Sequence, residues 1–161
     1  MSMVRQPGSL QRELRQTRPF RSAAQEAVLA LLRTADLVSR DAARVVEPHG
    51  ITLQQYNVLR ILRGAGDEGL PTLEVAERMI EQTPGVTRLL DRLETKELIR
   101  RERCRADRRQ HLCWLTSEGR RLLDRLDAPM LAAHEQSLRG LDATNRQRLV
   151  ALLAEIRQPE E

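Results

Sequence analysis

Residues 83–115 read TPGVTRLLDRLETKELIRRERCRADRRQHLCWL, and this stretch decides the fold class. Four apolar residues recur in it at helical spacing: Val86, Leu89, Leu90 and Leu93. Thr83 is a favourable N-cap, and Pro84 suits the first position of a helix, where the missing N–H is not needed. We therefore predict a helix that begins at residues 83–84, buries these apolar side chains and turns Thr87 and Arg88 to the opposite side.

The hydrophobic period changes after this helix. Two segments, residues 98–104 and 110–115, have the pattern of short strands, and residues 106–109 between them predict a tight basic turn. We expect Cys104 and Cys113 to lie opposite each other across this hairpin, because their positions are symmetric about the turn. Cys113 is also in phase with Leu115, on the side that we expect to face the core.

Three amphipathic segments precede this stretch. The first, residues 22–46, has a long apolar stripe and ends at Pro48 and Gly50. The second begins with Thr52 and Gln55, which have the spacing of a capping box. Residues 64–71 predict a turn, after which Thr72 is expected to cap a short third helix. The expected apolar positions of that helix are Leu73, Val75, Ala76 and Met79.

Two further helices follow the hairpin. Thr116 or Ser117 is expected to cap the first and Asp142 the second. Their apolar positions are Leu122, Leu123, Leu126, Met130 and Leu131 in the first, and Leu149, Leu152, Leu153 and Ile156 in the second. Together with residues 22–46, these faces exceed what one small domain needs to bury. We therefore place the terminal helices in a dimer interface.

The order of the elements predicts the fold class. Four helices, a hairpin and two helices make a mainly α chain with a small β-hairpin wing, in which residues 52–116 form a winged helix-turn-helix. Dimerisation helices are expected at residues 22–47 and 117–157, within a single domain over residues 22–161. Residues 1–21 are basic and have no apolar period, so we expect a flexible N-terminal arm.

Positive charge is concentrated at the hairpin. The chain carries a formal net charge of +4, and residues 98–111 alone contain six arginines and two acids, a local excess of +4. The six are Arg100, Arg101, Arg103, Arg105, Arg108 and Arg109. Clustered arginines predict a surface that faces phosphate groups.

The helix of the quoted stretch is the expected recognition helix, the one that enters the major groove of duplex DNA. Thr87 can contact a thymine methyl group or a phosphate, and Arg88 can contact guanine or a phosphate. Gln82 and Thr83 lie at the rim of this face. Arg92 is also expected to contact DNA.

The tip of the hairpin is the second expected point of contact. Arg108 and Arg109 can enter the narrow minor groove, where the negative potential is greatest. Asp107 can hold a neighbouring arginine in a fixed orientation through an ion pair. The tip is therefore predicted to bind the duplex beside the recognition helix.

These motifs in combination resemble the MarR family of winged-helix regulators. The resemblance rests on GVTRLLDRLETKELIRR (85–101), DRR (107–109) and the downstream LT with Gly119, and it covers nearly the whole chain from about residue 22. It implies a homodimer that binds a pseudo-palindromic operator in double-stranded DNA. It further implies a repressor that a small-molecule effector releases from the operator.

The resemblance also assigns roles by position. Thr87 and Arg88 match contacts of the recognition helix, Arg109 matches the arginine of the wing tip, and Asp107 matches the acid that orients it. One departure is Glu97, where many relatives have glycine. Because glycine there supplies a left-handed end to the helix, Glu97 predicts a different end geometry.

Two alternatives remain open at the level of sequence. Cys104 and Cys113, surrounded by arginines that favour thiolate, could make the regulator responsive to oxidants. Alternatively, the winged helix could bind an acidic protein partner instead of DNA. Saturable binding to duplex DNA would separate the second alternative from the main hypothesis.

Other classes of function find little support. Residues 64–69 satisfy G-x-G-x-x-G but follow a helix and precede Leu70 and Pro71, which is the wrong context for a dinucleotide. The spacing of Cys104, His111 and Cys113 matches no structural zinc pattern. We expect no enzymatic activity, no cofactor and no metal. With no membrane-spanning run and no secretion signal, a cytoplasmic location is expected.

Overall fold

The computed structural model describes residues 9–81, 85–104 and 111–158. The chain forms two compact units, residues 1–40 and residues 41–161. In chain order the elements are α1 (Ser9–Glu13), α2 (Ala23–Val46), α3 (Leu53–Ala65), β1 (Leu70–Pro71), α4 (Thr72–Glu77), α5 (Val86–Thr95), β2 (Ile99–Arg103), β3 (His111–Leu115), α6 (Ser117–Ser137) and α7 (Ala143–Arg157). The predicted class, mainly α with a small β wing, is confirmed. Within these ranges, no helix is long and apolar enough to span a bilayer.

The first two helices lie at the N-terminal end of the chain. Helix α1 falls within the predicted arm, which is therefore helical over Ser9–Glu13. Helix α2 has nearly the predicted bounds, and the Ser22 hydroxyl accepts a hydrogen bond from the Gln25 N–H at 3.1 Å. A short 3₁₀ turn follows α2 and is closed by Gly50, whose φ of 72° favours glycine.

The capping box at the start of α3 is confirmed. The Thr52 hydroxyl accepts from the Gln55 N–H at 3.2 Å, and the Gln55 side chain accepts from the Thr52 N–H at 3.1 Å. Gln55 is buried, at 3% exposure, yet its side-chain oxygen has this partner. The box therefore satisfies two backbone donors that the helix leaves free.

The sheet has three strands, in the order β1–β3–β2, where the sequence predicts only a two-stranded hairpin. Strand β1 pairs antiparallel with β3, Leu70 opposite Cys113. This short strand lies in the segment predicted to be a turn. Its formation depends on Gly69, because a Cβ there would lie 2.5 Å from the Trp114 ring. The Trp114 indole donates to the Asp67 carbonyl at 3.1 Å and holds the segment against β3.

Helix α4 differs in detail from its prediction. It begins at Thr72 instead of after it, so Thr72 is not the N-cap; its hydroxyl donates to the His111 carbonyl of β3 at 3.3 Å. Val75 and Met79 are buried as predicted, whereas Leu73 is 70% exposed. With only six residues, α4 turns one narrow face to the core, which leaves Leu73 outside it.

Helix α5 contributes the apolar side that its sequence predicts. Its four buried residues are Val86, Leu89, Leu90 and Leu93. They pack in one core with the buried side chains of α3 and α6, namely Tyr56, Val58, Leu59, Leu62, Leu122, Leu123, Leu126 and Met130. This packing fixes which side of α5 faces outward.

The end of α5 contradicts the prediction for Glu97. The Leu98 N–H donates to the Leu93 carbonyl at 3.0 Å and the Glu97 N–H to the Glu94 carbonyl at 2.8 Å. This is the Schellman pattern that usually ends in glycine, and Glu97 adopts the same left-handed conformation, with a φ of 58°. The surroundings compensate for the strain, because the Thr116 hydroxyl donates to the Glu97 carbonyl at 2.7 Å.

The two C-terminal helices begin at the predicted caps. The Thr116 hydroxyl accepts from the Gly119 N–H at 3.0 Å, and the Asp142 carboxylate accepts from the Asn145 N–H at 2.8 Å. A Cβ at Gly119 would lie 2.2 Å from the Leu98 carbonyl oxygen, so glycine allows α6 to start directly against the end of α5. Leu131, the last of the apolar positions predicted for this helix, is 63% exposed.

Candidate nucleic-acid interface

The outer face of α5 carries the side chains that the sequence places there. Thr87, Arg88 and Arg92 are exposed. The helix begins at Val86 with Gly85 as its N-cap, so the predicted start at Thr83 and Pro84 is wrong by about one half-turn. Gly85 has a φ of 113°, a conformation that glycine adopts without strain. The structure thus separates an apolar inner side of α5 from a polar outer side.

The predicted rim and tip residues lie outside the described residues. These are Gln82 and Thr83 before α5, and Asp107, Arg108 and Arg109 between β2 and β3. The described part of the wing is its stem, which consists of strands β2 and β3. Strands β2 and β3 pair antiparallel, with Ile99 opposite Leu115 and Arg103 opposite His111. Both predicted strands are confirmed, β2 is one residue shorter than predicted at each end, and β3 ends at Leu115 as predicted.

Arg101 does not belong to the predicted phosphate-facing surface. It is the least exposed arginine of the β2 stem, with 17% of its side chain accessible. Its guanidinium binds the Glu94 carboxylate at 2.6 Å and the Asp91 carboxylate at 2.5 Å. Burial acts to lower the pKa of Arg101, but the hydrogen bonds with Glu94 and Asp91 raise it overall. Arg101 therefore stays charged and joins the wing stem to α5.

Arg100 lies on the other side of the strand. Its guanidinium is 4.2 Å from the centroid of the Trp114 ring, the geometry of a cation–π contact, and it also pairs with Glu102. About half of its side chain remains exposed. Among the arginines of this cluster that the structure describes, Arg100 and Arg101 have protein partners, and sequence spacing contains no signal for either pairing.

A groove of about 910 Å³ lies between α4, the start of α5 and the wing stem. Its lining includes Thr72, Thr87, Glu94, Arg101 and His111. Thr87 is therefore shared between the groove and the outer face of α5. A molecule that fills the groove would cover part of that face.

The strand register separates the two cysteines. Cys113 lies opposite Arg101, not Cys104, so the expected pairing of the cysteines across the hairpin is wrong. The register of β2 and β3 therefore differs by three residues from the one in which Cys104 would face Cys113. Cys113 is fully buried, as its phase with Leu115 predicts, and burial raises the pKa of its thiol. A thiolate at Cys113 is disfavoured, which weakens the redox alternative.

Comparison with known proteins agrees with this geometry. The model of the MarR family matches residues 49–110, which include α3, β1, α4, α5 and β2. The HTH-type transcriptional regulator TtmR of Methylorubrum extorquens is 32% identical over 128 residues, which cover 80% of this chain. The matched region spans 64% of the length of that relative.

Solved structures extend the similarity beyond the residues that the family model matches. A MarR transcription factor from Planctomyces limnophilus is 37% identical, with a TM-score of 0.67 over 84% of this chain and 98% of the other. CouR from Rhodococcus jostii, solved with bound p-coumaroyl-CoA, is 28% identical, with a TM-score of 0.72 over 88% of this chain and 99% of the other. The identity, the coverage and the shared fold together show that the chain belongs to the MarR family of transcriptional regulators.

Proposed function

We propose that the protein is a sequence-specific DNA-binding repressor that acts as a homodimer and is released from its operator by a small molecule. The observation that carries the proposal is the division of α5. Its apolar side is buried against α3 and α6, while Thr87, Arg88 and Arg92 are exposed on the other side. A helix held in this way can lie in the major groove without losing its packing.

The wing supplies the second part of the proposed interface. Arg103, at the end of β2, is exposed, and the sequence continues into Asp107, Arg108 and Arg109. Arginines at such a tip suit the minor groove, with Asp107 orienting one of them. We assign Gln82 and Thr83 to the rim of the major-groove contact. We also propose a cytoplasmic location, where such a regulator meets its DNA.

A homodimer accounts for apolar surface that one chain leaves exposed. Helix α7 has no buried residue among those described, and its exposed residues include Val150, Leu152 and Ile156. Helix α2 exposes Val28, Leu31, Leu32 and Leu37. Apolar helix faces of this size are stable in water when a second copy covers them. Two α5 helices related by a twofold axis would then read an inverted repeat.

The groove beside Thr87 supports control by a ligand. A molecule bound there would contact the outer face of α5 and would compete with DNA for it. CouR, which shares the fold, was solved with p-coumaroyl-CoA. We propose that this chain also takes a small-molecule effector.

The proposal is tested by selecting duplexes from a random pool with the purified protein and titrating the selected sequence. We expect an inverted repeat with half-sites about one helical turn, or ~10 base pairs, apart. The logarithm of affinity should fall linearly with the logarithm of salt concentration, with a slope of about −0.9 for each neutralised phosphate. A scrambled duplex of equal length serves as the control.

Failure to select any duplex, or equal affinity for the selected and scrambled sequences, would contradict sequence-specific binding. In that case an acidic protein partner for the wing becomes the better explanation. The redox alternative is tested on the same duplex. We expect peroxide treatment to leave the affinity for DNA unchanged. A loss of affinity after peroxide treatment that does not occur in Cys104→Ser would favour the redox alternative.

A further inference from the structure

The recognition helix carries as much negative as positive charge. Within α5, Arg88 and Arg92 are balanced by Asp91 and Glu94. Asp91 and Glu94 are three residues apart, so they lie on one side of the helix. Their side chains are 54% and 39% exposed. A helix that is to approach the phosphates of DNA therefore presents two carboxylates close to its binding face, and each would be repelled.

Arg101 contacts both carboxylates. Its Nε donates to Glu94 at 2.9 Å, and one terminal nitrogen donates to Glu94 at 2.6 Å and to Asp91 at 2.5 Å. Its backbone N–H donates to the second Glu94 oxygen at 3.1 Å. Glu94 is thus bound through both oxygens. Three hydrogen bonds therefore hold this carboxylate, two from the guanidinium to one oxygen and one from the backbone to the other, and hydrogen bonds to an ionised group are stronger than those between neutral groups.

The limited exposure of Arg101 excludes a simpler role. With 17% of its side chain accessible, and with Nε and one terminal nitrogen bound to two carboxylates, its guanidinium has little freedom to bind phosphate. Arg88 and Arg92 on α5 are exposed. Arg88 and Arg92 are therefore available to contact DNA, whereas Arg101 is engaged in contacts within the protein.

We propose that Arg101 is a positioning residue for DNA binding: it holds Glu94 and Asp91 against β2 and neutralises one of their two negative charges, so that the positive charge of Arg88 and Arg92 prevails on the outer face of α5. The inference rests on the proposed function and adds a determinant of affinity that does not touch DNA. The effect should be large when DNA excludes water from this face, because an unpaired carboxylate costs more in a lower dielectric.

The test compares four proteins on the duplex that the wild type selects: wild type, Arg101→Ala, Asp91→Asn with Glu94→Gln, and all three changes together. We expect Arg101→Ala to weaken binding about tenfold or more, because it exposes two carboxylates to the phosphates. The slope of affinity against salt should stay within about 0.3 of the wild-type slope, since no phosphate contact is lost. Removing all three charges should restore most of the lost affinity.

Two outcomes would overturn the inference. If Arg101→Ala reduces the salt slope by about 0.9, the guanidinium contacts a phosphate directly. If the triple change binds as weakly as Arg101→Ala, the carboxylates are not the reason for the loss. The Asp91→Asn, Glu94→Gln protein keeps Arg101 and should bind at least as tightly as wild type; a loss there would mean that the acids themselves contact bases.

A matched control separates these effects from a general loss of structure. Arg63 makes a similar double contact with Asp127, at 2.8 and 2.9 Å, between α3 and α6. Arg63→Ala should change the urea midpoint without changing affinity for DNA. Circular dichroism of each variant gives the folded fraction. If the wild type binds no duplex at all, the proposed function fails, and that failure is distinct from the failure of the Arg101 inference.

Discussion

Helices α5 and α7 both carry regularly spaced apolar residues, and the chain uses them in opposite ways. Helix α5 buries all four of its large apolar side chains in the core of its own chain. Helix α7 buries none among the described residues and leaves Ile156 67% exposed. The difference shows that apolar periodicity locates a face without saying what covers it. We assign the α5 face to folding and propose that a second copy of the chain covers the α7 face.

The largest expected effect comes from making the same substitution in both helices. Leu90 in α5 is fully buried, so Leu90→Ala should lower the free energy of unfolding by about 2–5 kcal/mol. Leu152 in α7 is 49% exposed, so Leu152→Ala should cost less than about 1 kcal/mol in dilute protein. Urea denaturation at several protein concentrations measures both. Equal costs at every concentration would contradict the division of roles.

A charge on the exposed face of α7 should act on assembly. Ile156→Asp should weaken the dimer by at least about tenfold, because a carboxylate in an apolar interface must lose its hydration. Sedimentation velocity over a dilution series gives the dissociation constant. Arg157→Asp, a neighbouring change at a residue that is already charged, is the control. A dimer equally strong in the Ile156 variant would place the interface elsewhere.

The end of α5 offers a gain in stability. Glu97 holds a φ of 58°, which costs a residue with a Cβ about 1 kcal/mol relative to glycine. Glu97→Gly should therefore raise the free energy of unfolding by up to about 1 kcal/mol, measured by urea denaturation. Glu97→Ala keeps the Cβ and should give no gain. A loss of stability in the glycine variant would show that the Glu97 side chain has a stabilising role.

The smallest change in stability is expected at the ion pair between Arg63 and Asp127, which joins α3 to α6 and involves neither α5 nor α7. The hydrogen bonds from Arg63 hold the pKa of Asp127 below its usual value. A carboxylate with a lowered folded-state pKa stabilises the fold above its unfolded pKa of about 3.9, and this stabilisation is lost as pH falls through the folded value. Asp127 is about half exposed, so Asp127→Asn should cost at most about 1 kcal/mol at pH 7. Denaturation at pH 7 and near pH 2 should show the cost disappearing in acid.

Local chemistry accounts for most of what the sequence predicts correctly. The caps at Thr52, Thr116 and Asp142 and the buried side of α5 depend on residues within a few positions of one another. Such interactions are encoded by spacing and by donor and acceptor type. The same holds for the outward direction of Thr87 and Arg88.

The features that sequence reasoning missed depend on contacts between distant residues. Strand β1 has only two residues, one of them proline, and exists because β3 and Trp114 lie beside it. The position of Arg101 and the separation of the cysteines follow from the register of β2 and β3. That register differs from the one expected from the symmetric positions of Cys104 and Cys113. Glu97 was misjudged because Thr116 and the Schellman hydrogen bonds hold a conformation that propensity alone disfavours.

If the outer face of α5 reads the major groove, binding depends on the groove atoms of individual bases, and replacing purines in the selected duplex by 7-deazapurines measures that dependence. Each replacement removes one major-groove acceptor, N7, and leaves the phosphates unchanged. We predict that the wild type loses about tenfold in affinity at one or more purines in each half-site, and that Arg88→Ala loses this sensitivity at one of them. Wild-type affinity unchanged by replacement at every purine would contradict it.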